Sequence, residues 1–344
     1  ERVTRPPAAG VRDWKGEQME SVVVSDLARI FRTRKGKEIR AVDGISFTVH
    51  RGELFSLLGP NGAGKTTTIS MLSGLLSPTA GSVTIDGISL QADGISARRK
   101  IGIVPQEIAL YPRLTARQNL EFFGRIYSLG GAELSARVDE LLEFVELADR
   151  ANDRIETFSG GMKRRINIAA GLIHRPPILY MDEPTVGVDP QSRRRILDLI
   201  NHLKEQEGMA ILYTTHLMEE AEELSDRVGI IDHGKLIAVG TQSELTASVN
   251  QLDRVELELA TSDVPDRFVS ELHTLDGVQE VQVQEAEAEA AGRQIILLVR
   301  DGRTLLPSLV DLSSGLEQPL AGVRVTEPDL ESLFLRLTGR ALRD

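Results

Sequence analysis

The chain has 344 residues, 40 of them Lys or Arg and 51 Asp or Glu, with a formal net charge of −11, a pI near 5.2 and no cysteine. At roughly 150 residues per domain this length allows about two domains, and the missing thiols exclude a disulfide framework, thiolate zinc, iron–sulfur clusters and cysteine nucleophiles. The acidic balance argues against the broad basic face that nucleic acid needs, and no apolar run approaches the roughly 20 residues of a membrane helix.

Residues 1–20 mix Arg, Pro, Gly and acids, hold the single Trp14, and read as a flexible tail with Met19 as a candidate natural start. From Val22 onward short β-rich runs alternate with longer helical patterns, which predicts an α/β fold with a parallel sheet. Early runs at 21–25, 45–49 and 82–85 are closed by Asp43-Gly44, Arg51-Gly52 and Asp86-Gly87, so a small antiparallel subdomain is expected beside the main sheet. The apolar run Leu54–Leu58 predicts a buried strand. Between about 107 and 172 no strand pattern appears, and 115–129 and 134–147 carry apolar residues at three- and four-residue spacing, the mark of a helical subdomain. Strands return at 178–181, 210–214 and 228–231, separated by helices that start near Gln191 and Leu217. After about Thr246 the glycine motifs stop and Val/Glu alternation begins, which divides the chain into a domain over 21–245 and an α+β domain over 246–344. The β-α-β-β-α-β order of this last part suggests a small ferredoxin-like layer, with 285–291 as a solvated hairpin loop.

Three strings carry chemistry. Gly59-Pro60-Asn61-Gly62-Ala63-Gly64-Lys65-Thr66 follows the apolar strand and opens a helical segment, matching G-x-x-x-x-G-K-[ST]. Glycines let backbone N–H groups curl around phosphate oxygens, the helix N-terminus adds partial positive charge, Lys65 reaches the β- and γ-phosphates, and the Thr66 hydroxyl serves Mg²⁺. Thr67 completes the nucleotide-binding run. The second string, 178–183, is a buried strand ending in Asp182 and Glu183, which points two carboxylates into the crevice at the strand's C-terminal end. There Asp182 would hold Mg²⁺ and Glu183 would polarise the water that attacks the γ-phosphate. The third string is Phe158-Ser159-Gly160-Gly161-Met162.

With this third string, residues 21 to about 240 resemble the nucleotide-binding domain of ATP-binding cassette (ABC) transporters, a P-loop NTPase core whose LSGGQ signature stands shortly before the acidic strand. Further positions match in order: Gln106 after Ile103-Val104-Pro105 resembles the Q-loop glutamine, Asp189 in Gly187-Val188-Asp189-Pro190 the D-loop aspartate, and His216 in Thr214-Thr215-His216 the switch histidine. Phe31 stands where the family places an aromatic that stacks on adenine. The resemblance implies catalytic roles for Glu183, His216 and Gln106, Mg²⁺ contacts from Thr66, Gln106 and Asp182, and ATP and Mg²⁺ as cofactors. It also implies that Ser159, Gly160 and Gly161 contact the γ-phosphate bound by the Lys65 of a second ATPase domain, so that ATP binding closes a head-to-tail homo- or heterodimer and hydrolysis opens it. Implied partners are separate integral membrane permease subunits, with this chain peripheral on the cytoplasmic side of the cell membrane and no nucleic acid involved.

Two departures from the family pattern stand out. Phe158 and Met162 replace the usual Leu and Gln around the intact Ser159-Gly160-Gly161, and Met162 lacks a glutamine's hydrogen bonds. Gln118, in Arg117-Gln118-Asn119-Leu120, replaces a Glu common in relatives, which makes the pairing with membrane subunits neutral. Arg98-Arg99-Lys100, Lys163-Arg164-Arg165 and Arg193-Arg194-Arg195 read first as solvated helix faces with ion pairs, and second as sites for anionic headgroups or membrane-subunit loops. The segment from Glu327 to Gly339 resembles the closing motif of drug-resistance, daunorubicin-exporter-like ABC subunits, which implies an exporter. Within the family, export of lipid, polysaccharide or ions remains an alternative; outside transport, a soluble ABC protein acting on ribosomes or DNA is the rival.

Overall fold

The computed structural model describes residues 19–32, 36–248, 252–259, 265–284, 294–316, 318–326 and 330–338. Residues 1–18 of the expected tail, the 285–291 loop, Glu327-Pro328-Asp329 and Gly339 lie outside the described residues, while Glu20, also expected in the tail, already belongs to the first strand. The chain divides into two compact units, the first ending at Val239 and the second running Gly240–Ala341, a few residues before the boundary expected near Thr246.

In the first unit, β1 (Glu20–Arg32), β2 (Glu38–His50), β4 (Ala80–Ile85) and β5 (Ile88–Ser89) form a four-stranded sheet in the order β2-β1-β4-β5, its strand pairs antiparallel. Asp43-Gly44 does not close a strand as expected. It lies inside β2, where the register slips between Leu27↔Ile45 and Arg29↔Val42, and Gly44 takes a left-handed φ of 72° as the extra residue of a bulge. The second sheet orders β3 (Leu54–Leu58), β6 (Ile101–Val104), β7 (Ile178–Asp182), β8 (Ala210–Thr215), β9 (Arg227–Asp232) and β10 (Lys235–Gly240) as β10-β9-β3-β8-β7-β6. The sequence reading omitted β10, whose exposed and half-buried residues alternate as on a sheet edge.

The central strands of this sheet are continuously apolar because both faces are covered. In β7, Leu179 and Met181 pack into one hydrophobic cluster while Ile178 and Tyr180 pack into another; in β8, Ile211 and Tyr213 alternate with Ala210 and Leu212 in the same way. The first cluster includes residues of α3 (Ala116–Ile126), α4 (Gly131–Phe144), α5 (Gly160–Gly171) and α6 (Pro190–Glu205). The second joins the antiparallel sheet and α1 (Lys65–Leu72), with Ala97 of the short α2 (Gly94–Arg98). The helix α7 (Met218–Leu224) follows β8.

The second unit begins with α8 (Gln242–Ser248) and continues β11 (Asp253–Leu259), α9 (Asp266–Thr274), β12 (Val278–Gln284), β13 (Gln294–Val299), α10 (Gly302–Gly315), β14 (Leu320–Thr326) and α11 (Leu330–Thr338). Its sheet order, β12-β13-β11-β14 with antiparallel pairs throughout, is that of a ferredoxin-like layer. Val255, Leu257, Ile295, Leu297 and Val299 face Phe268 and Leu272 of α9 and Leu305 and Leu309 of α10.

Candidate functional site

The loop from Gly59 to Gly64 leaves the C-terminal end of β3 and delivers Lys65 as the first residue of α1. Glycine is required at Gly64, which has φ 112° and where a Cβ would stand 2.5 Å from the Ala41 carbonyl oxygen, and at Gly59, where a Cβ would meet the Ile231 carbonyl at 2.2 Å. Lys65 is only 4% exposed, and its Nζ donates to the carbonyls of Gly59 (2.6 Å) and Pro60 (3.0 Å). Its third partner is Glu183, whose Oε1 lies 3.0 Å away. Asn61, Gly62 and residues 64–67 line a cleft of about 230 Å³ together with Ala41, Gln106 and Glu183. Ala63 is buried against Leu57 and Ile231 beneath the loop.

Asp182 ends β7, next to β8 in the sheet, and Glu183 follows it directly. The Asp182 Oδ1 accepts from Thr214 Oγ1 at 2.7 Å and from Thr66 Oγ1 at 3.3 Å. Burial pushes the Asp182 carboxyl above the usual carboxylate range, against the opposing pull of the two hydroxyls and of Lys65. Glu183 holds a left-handed φ of 44°, an uncommon conformation for a residue with a Cβ, and its N–H is fixed by the Thr214 carbonyl at 3.2 Å and hydroxyl at 3.0 Å. This turns the 5%-exposed side chain toward Lys65, while its Oε2 accepts from Gln106 Nε2 at 3.3 Å and lies 3.2 Å from His216 Nδ1. Parallel strands ending at one sheet edge thus bring Lys65, Gln106, Asp182, Glu183 and His216 together.

Ser159, Gly160, Gly161, Asp189 and Phe31 are not among the residues lining this cleft. Ser159 caps α5, its Oγ accepting from Met162 N at 3.3 Å, and Gly161 lies so close to α6 that a Cβ would stand 2.2 Å from Ser192 Oγ. Asp189 caps α6, and its hydrogen bonds from Ser192 hold its carboxyl below the ordinary value. Phe31 is exposed, with the Arg29 guanidinium 4.7 Å over its ring. It pairs with Ile39 across the β1–β2 ladder.

Several expectations change on contact with the structure. Met162 packs its side chain on the apolar cluster beside buried Phe158, so the missing amide leaves no gap within this chain. Gln118 forms a capping box on α3, donating N–H to Thr115 Oγ1 and accepting Thr115 N–H at 3.0 Å, so its amide is committed to its own helix. The solvated-face reading holds for Arg193 and Arg194, which pair with Glu220 and Asp198. It fails for Arg164 and Arg165, each 4% exposed and bonded to backbone carbonyls. Three further residues build the site beyond the motif positions: Thr214, which bridges both acids; Arg164, which donates to the carbonyls of Pro105 at 2.7 Å and Gln106 at 2.5 Å; and Glu220, which joins Tyr213, Thr215 and Arg193. The sequence signal for Arg164 was weak, since its helix mixes Lys163, Arg164, Arg165 and Asn167 with Ile166, Ile168, Ala169 and Ala170, yet burial runs unbroken from Arg164 to Gly171.

A glycine-shaped loop with a buried lysine, two acids at a strand end and a Gln/His pair around one carboxylate are the arrangement of a P-loop ATPase of the cassette type. The ABC transporter family profile matches residues 42–186. Linearmycin resistance ATP-binding protein LnrL of Bacillus subtilis is 48% identical over 303 residues, covering 88% of this chain and 95% of that protein. Daunorubicin resistance ATP-binding protein DrrA3 of Streptomyces coeruleorubidus is 38% identical over 300 residues, covering 87% and 92%. Among solved structures, the dimeric post-hydrolysis state of the ATP-binding cassette MJ0796 bound to ADP and Pi matches with a TM-score of 0.59 and 30% identity, covering 64% of this chain and 98% of that one. The chain belongs to the ABC transporter family and is an ATP-binding, ATP-hydrolysing subunit. No helix among the described residues is long and apolar enough to cross a membrane.

Proposed function

We propose that this chain is the motor of an ABC exporter, closing head-to-tail on a second ATPase domain to drive transport through separate membrane subunits. One observation carries the reading: three motifs from distant parts of the sequence converge on the Glu183 carboxylate, with Lys65 on one oxygen and Gln106 and His216 on the other. That arrangement suits a base that accepts a proton from water at the γ-phosphate while His216 and Gln106 hold its orientation. ATP then takes Lys65 from Glu183, its phosphates lying along the N–H groups of the loop and its adenine on Phe31. Thr66 and Asp182 present hard oxygen donors 3.3 Å apart in a buried setting that disfavours an uncompensated carboxylate, which fits Mg²⁺; Gln106 supplies a further amide oxygen. Bound there, Mg²⁺ would neutralise charge on the transferring phosphoryl group.

Ser159, Gly160, Gly161 and Asp189 stand at helix N-termini away from the cleft of their own chain, which supports a role on the nucleotide of a second copy or a related domain. The dimeric post-hydrolysis state of the similar MJ0796 cassette fits this reading. For membrane subunits, the helical region offers an exposed aromatic pair just past the Q-loop, Tyr111 against Phe122 with ring centroids 4.8 Å apart, with Ile108 and Ile126 also exposed. The names of LnrL and DrrA3 favour a resistance-type cargo, and the reading as a motor beside separate membrane subunits implies a peripheral place on the cytoplasmic face of the membrane.

The test is Glu183→Gln, which should keep Mg²⁺ and ATP binding and lower turnover by roughly 10²- to 10⁴-fold. At high protein concentration with ATP and Mg²⁺ it should run as a dimer in size-exclusion chromatography with light scattering, and adding Ser159→Arg should return it to monomer. Parental turnover would remove Glu183 as base; slow turnover with a persistent monomer would sink the shared site.

A further inference from the structure

The Arg164 guanidinium is nine-tenths buried between the signature helix and the Q-loop, and neither the motifs nor the proposed chemistry uses it. Its two terminal nitrogens donate to consecutive carbonyls, Pro105 at 2.7 Å and Gln106 at 2.5 Å. One turn further along α5, Asn167 Oδ1 accepts the N–H of Ala109 at 3.3 Å. The pair at three-residue spacing therefore grips the backbone on both sides of the Q-loop from one helix face. The clamped Gln106 sends its own amide to Glu183. At the other end, Ser159 caps the same helix five residues before Arg164, about 7 Å along its axis.

We propose that Arg164 is a positioning residue that ties the signature helix to Gln106, so that the state of one nucleotide site is passed to Ser159 through a rigid side-chain link. This rests on the roles given above to Gln106 and Ser159. Burying a guanidinium without a directly bonded carboxylate is costly, and the Arg164 Nε has no hydrogen-bond partner. Burial lowers its pKa, and the nearby Asp182 carboxylate works against that shift. A hydrophobic residue of that size would leave both carbonyls without this donor, and a planar fork that spans two carbonyls fixes the Q-loop backbone in a way that a single donor does not.

The test is a double-mutant cycle on the full chain, read by steady-state ATP hydrolysis, with thermal unfolding to establish that each variant is folded. Arg164→Met should lower kcat by roughly 10- to 100-fold while the KM for ATP moves less than about 3-fold, because Lys65, Thr66 and the N–H groups of the 59–64 loop are untouched. In a Gln106→Ala background the same substitution should lower kcat by less than about 2-fold, since the residue through which it acts is already gone. Arg164→Lys keeps the cation with a single nitrogen to donate and should fall between parent and Arg164→Met; it carries the cycle if the methionine variant does not fold. Equal fold-losses in the two backgrounds, or a parental kcat in folded Arg164→Met, would overturn the proposal. So would a parental kcat in Gln106→Ala. None of these outcomes touches the Glu183→Gln result, which judges the ATPase mechanism separately.

Discussion

Lys65 meets a carboxylate before it meets a phosphate. Its Nζ has three oxygen partners, and only Glu183 Oε1, at 3.0 Å, is charged. Nucleotide binding must therefore displace Glu183 from Lys65, and part of the phosphate's gross attraction goes into breaking that pair. Glu183→Gln lowers this cost. The amide still offers a carbonyl oxygen to Lys65, so the change removes a charge and leaves a neutral hydrogen bond. The difference between charge-assisted and neutral bonds is about 1–2 kcal/mol. The variant should consequently bind Mg·ADP roughly 5- to 30-fold more tightly than the parent. ADP is the right probe because its β-phosphate engages Lys65 without turnover, and calorimetric titration at dilute protein keeps partner closure out of the measurement. Tighter binding would come from a higher-energy free state, so the free variant should also unfold at a lower temperature. Unchanged or weaker ADP affinity in the variant would refute the competition between carboxylate and phosphate.

Other perturbations separate the parts of the molecule. Lys65→Ala should abolish nucleotide binding or nearly so, and equal calorimetric affinity for variant and parent would refute the phosphate-loop role. A chain ending at Gln242 should keep ATP binding, because every nucleotide-site motif ends by His216 and the first compact unit runs to Val239; a folded truncation without affinity would refute this division of labour. His174 is held neutral, its pKa pushed down to about 4 chiefly by burial, with its ring stacked on Tyr127 at 3.7 Å. Its unfolded form binds a proton near pH 6.5 and its folded form only near pH 4, so stability falls as pH drops through that window. Between pH 7 and pH 5 the parent should lose about 2 kcal/mol more than His174→Phe in urea unfolding, and parallel losses would show that His174 does not titrate this way.

The sequence was legible where a physical requirement is local. A phosphate loop must place glycines and one lysine between a strand and a helix, and a strand covered on both faces must be apolar throughout; 59–66, Leu54–Leu58 and Ile178–Asp182 met those conditions within a few residues each. The β-α-β-β-α-β reading of the last hundred residues succeeded because period-two and helical patterns alternate there without insertions. Asp43-Gly44 misled because a bulge and a turn ask the same thing of the backbone, a left-handed residue that glycine supplies. Only the partner strand tells them apart.

Harder to read were side chains whose partners are backbone atoms. A string of cations looks the same whether it is solvated or committed, since every residue carries the carbonyls that satisfy an arginine and sequence does not say which ones will be left over. Arg137 donates to Leu172 O and Ile173 O, Arg165 to Val145 O, and Arg164 to the Q-loop, each where a helix end or loop turns its carbonyls inward. Such carbonyls must find a donor once buried, and a long side chain with a planar fork reaches them across a gap that backbone N–H groups cannot span. Arg164 and Arg165, read from the sequence as solvated, thus satisfy backbone carbonyls of the helical region, and Arg164 does so at the loop that carries Gln106 to Glu183.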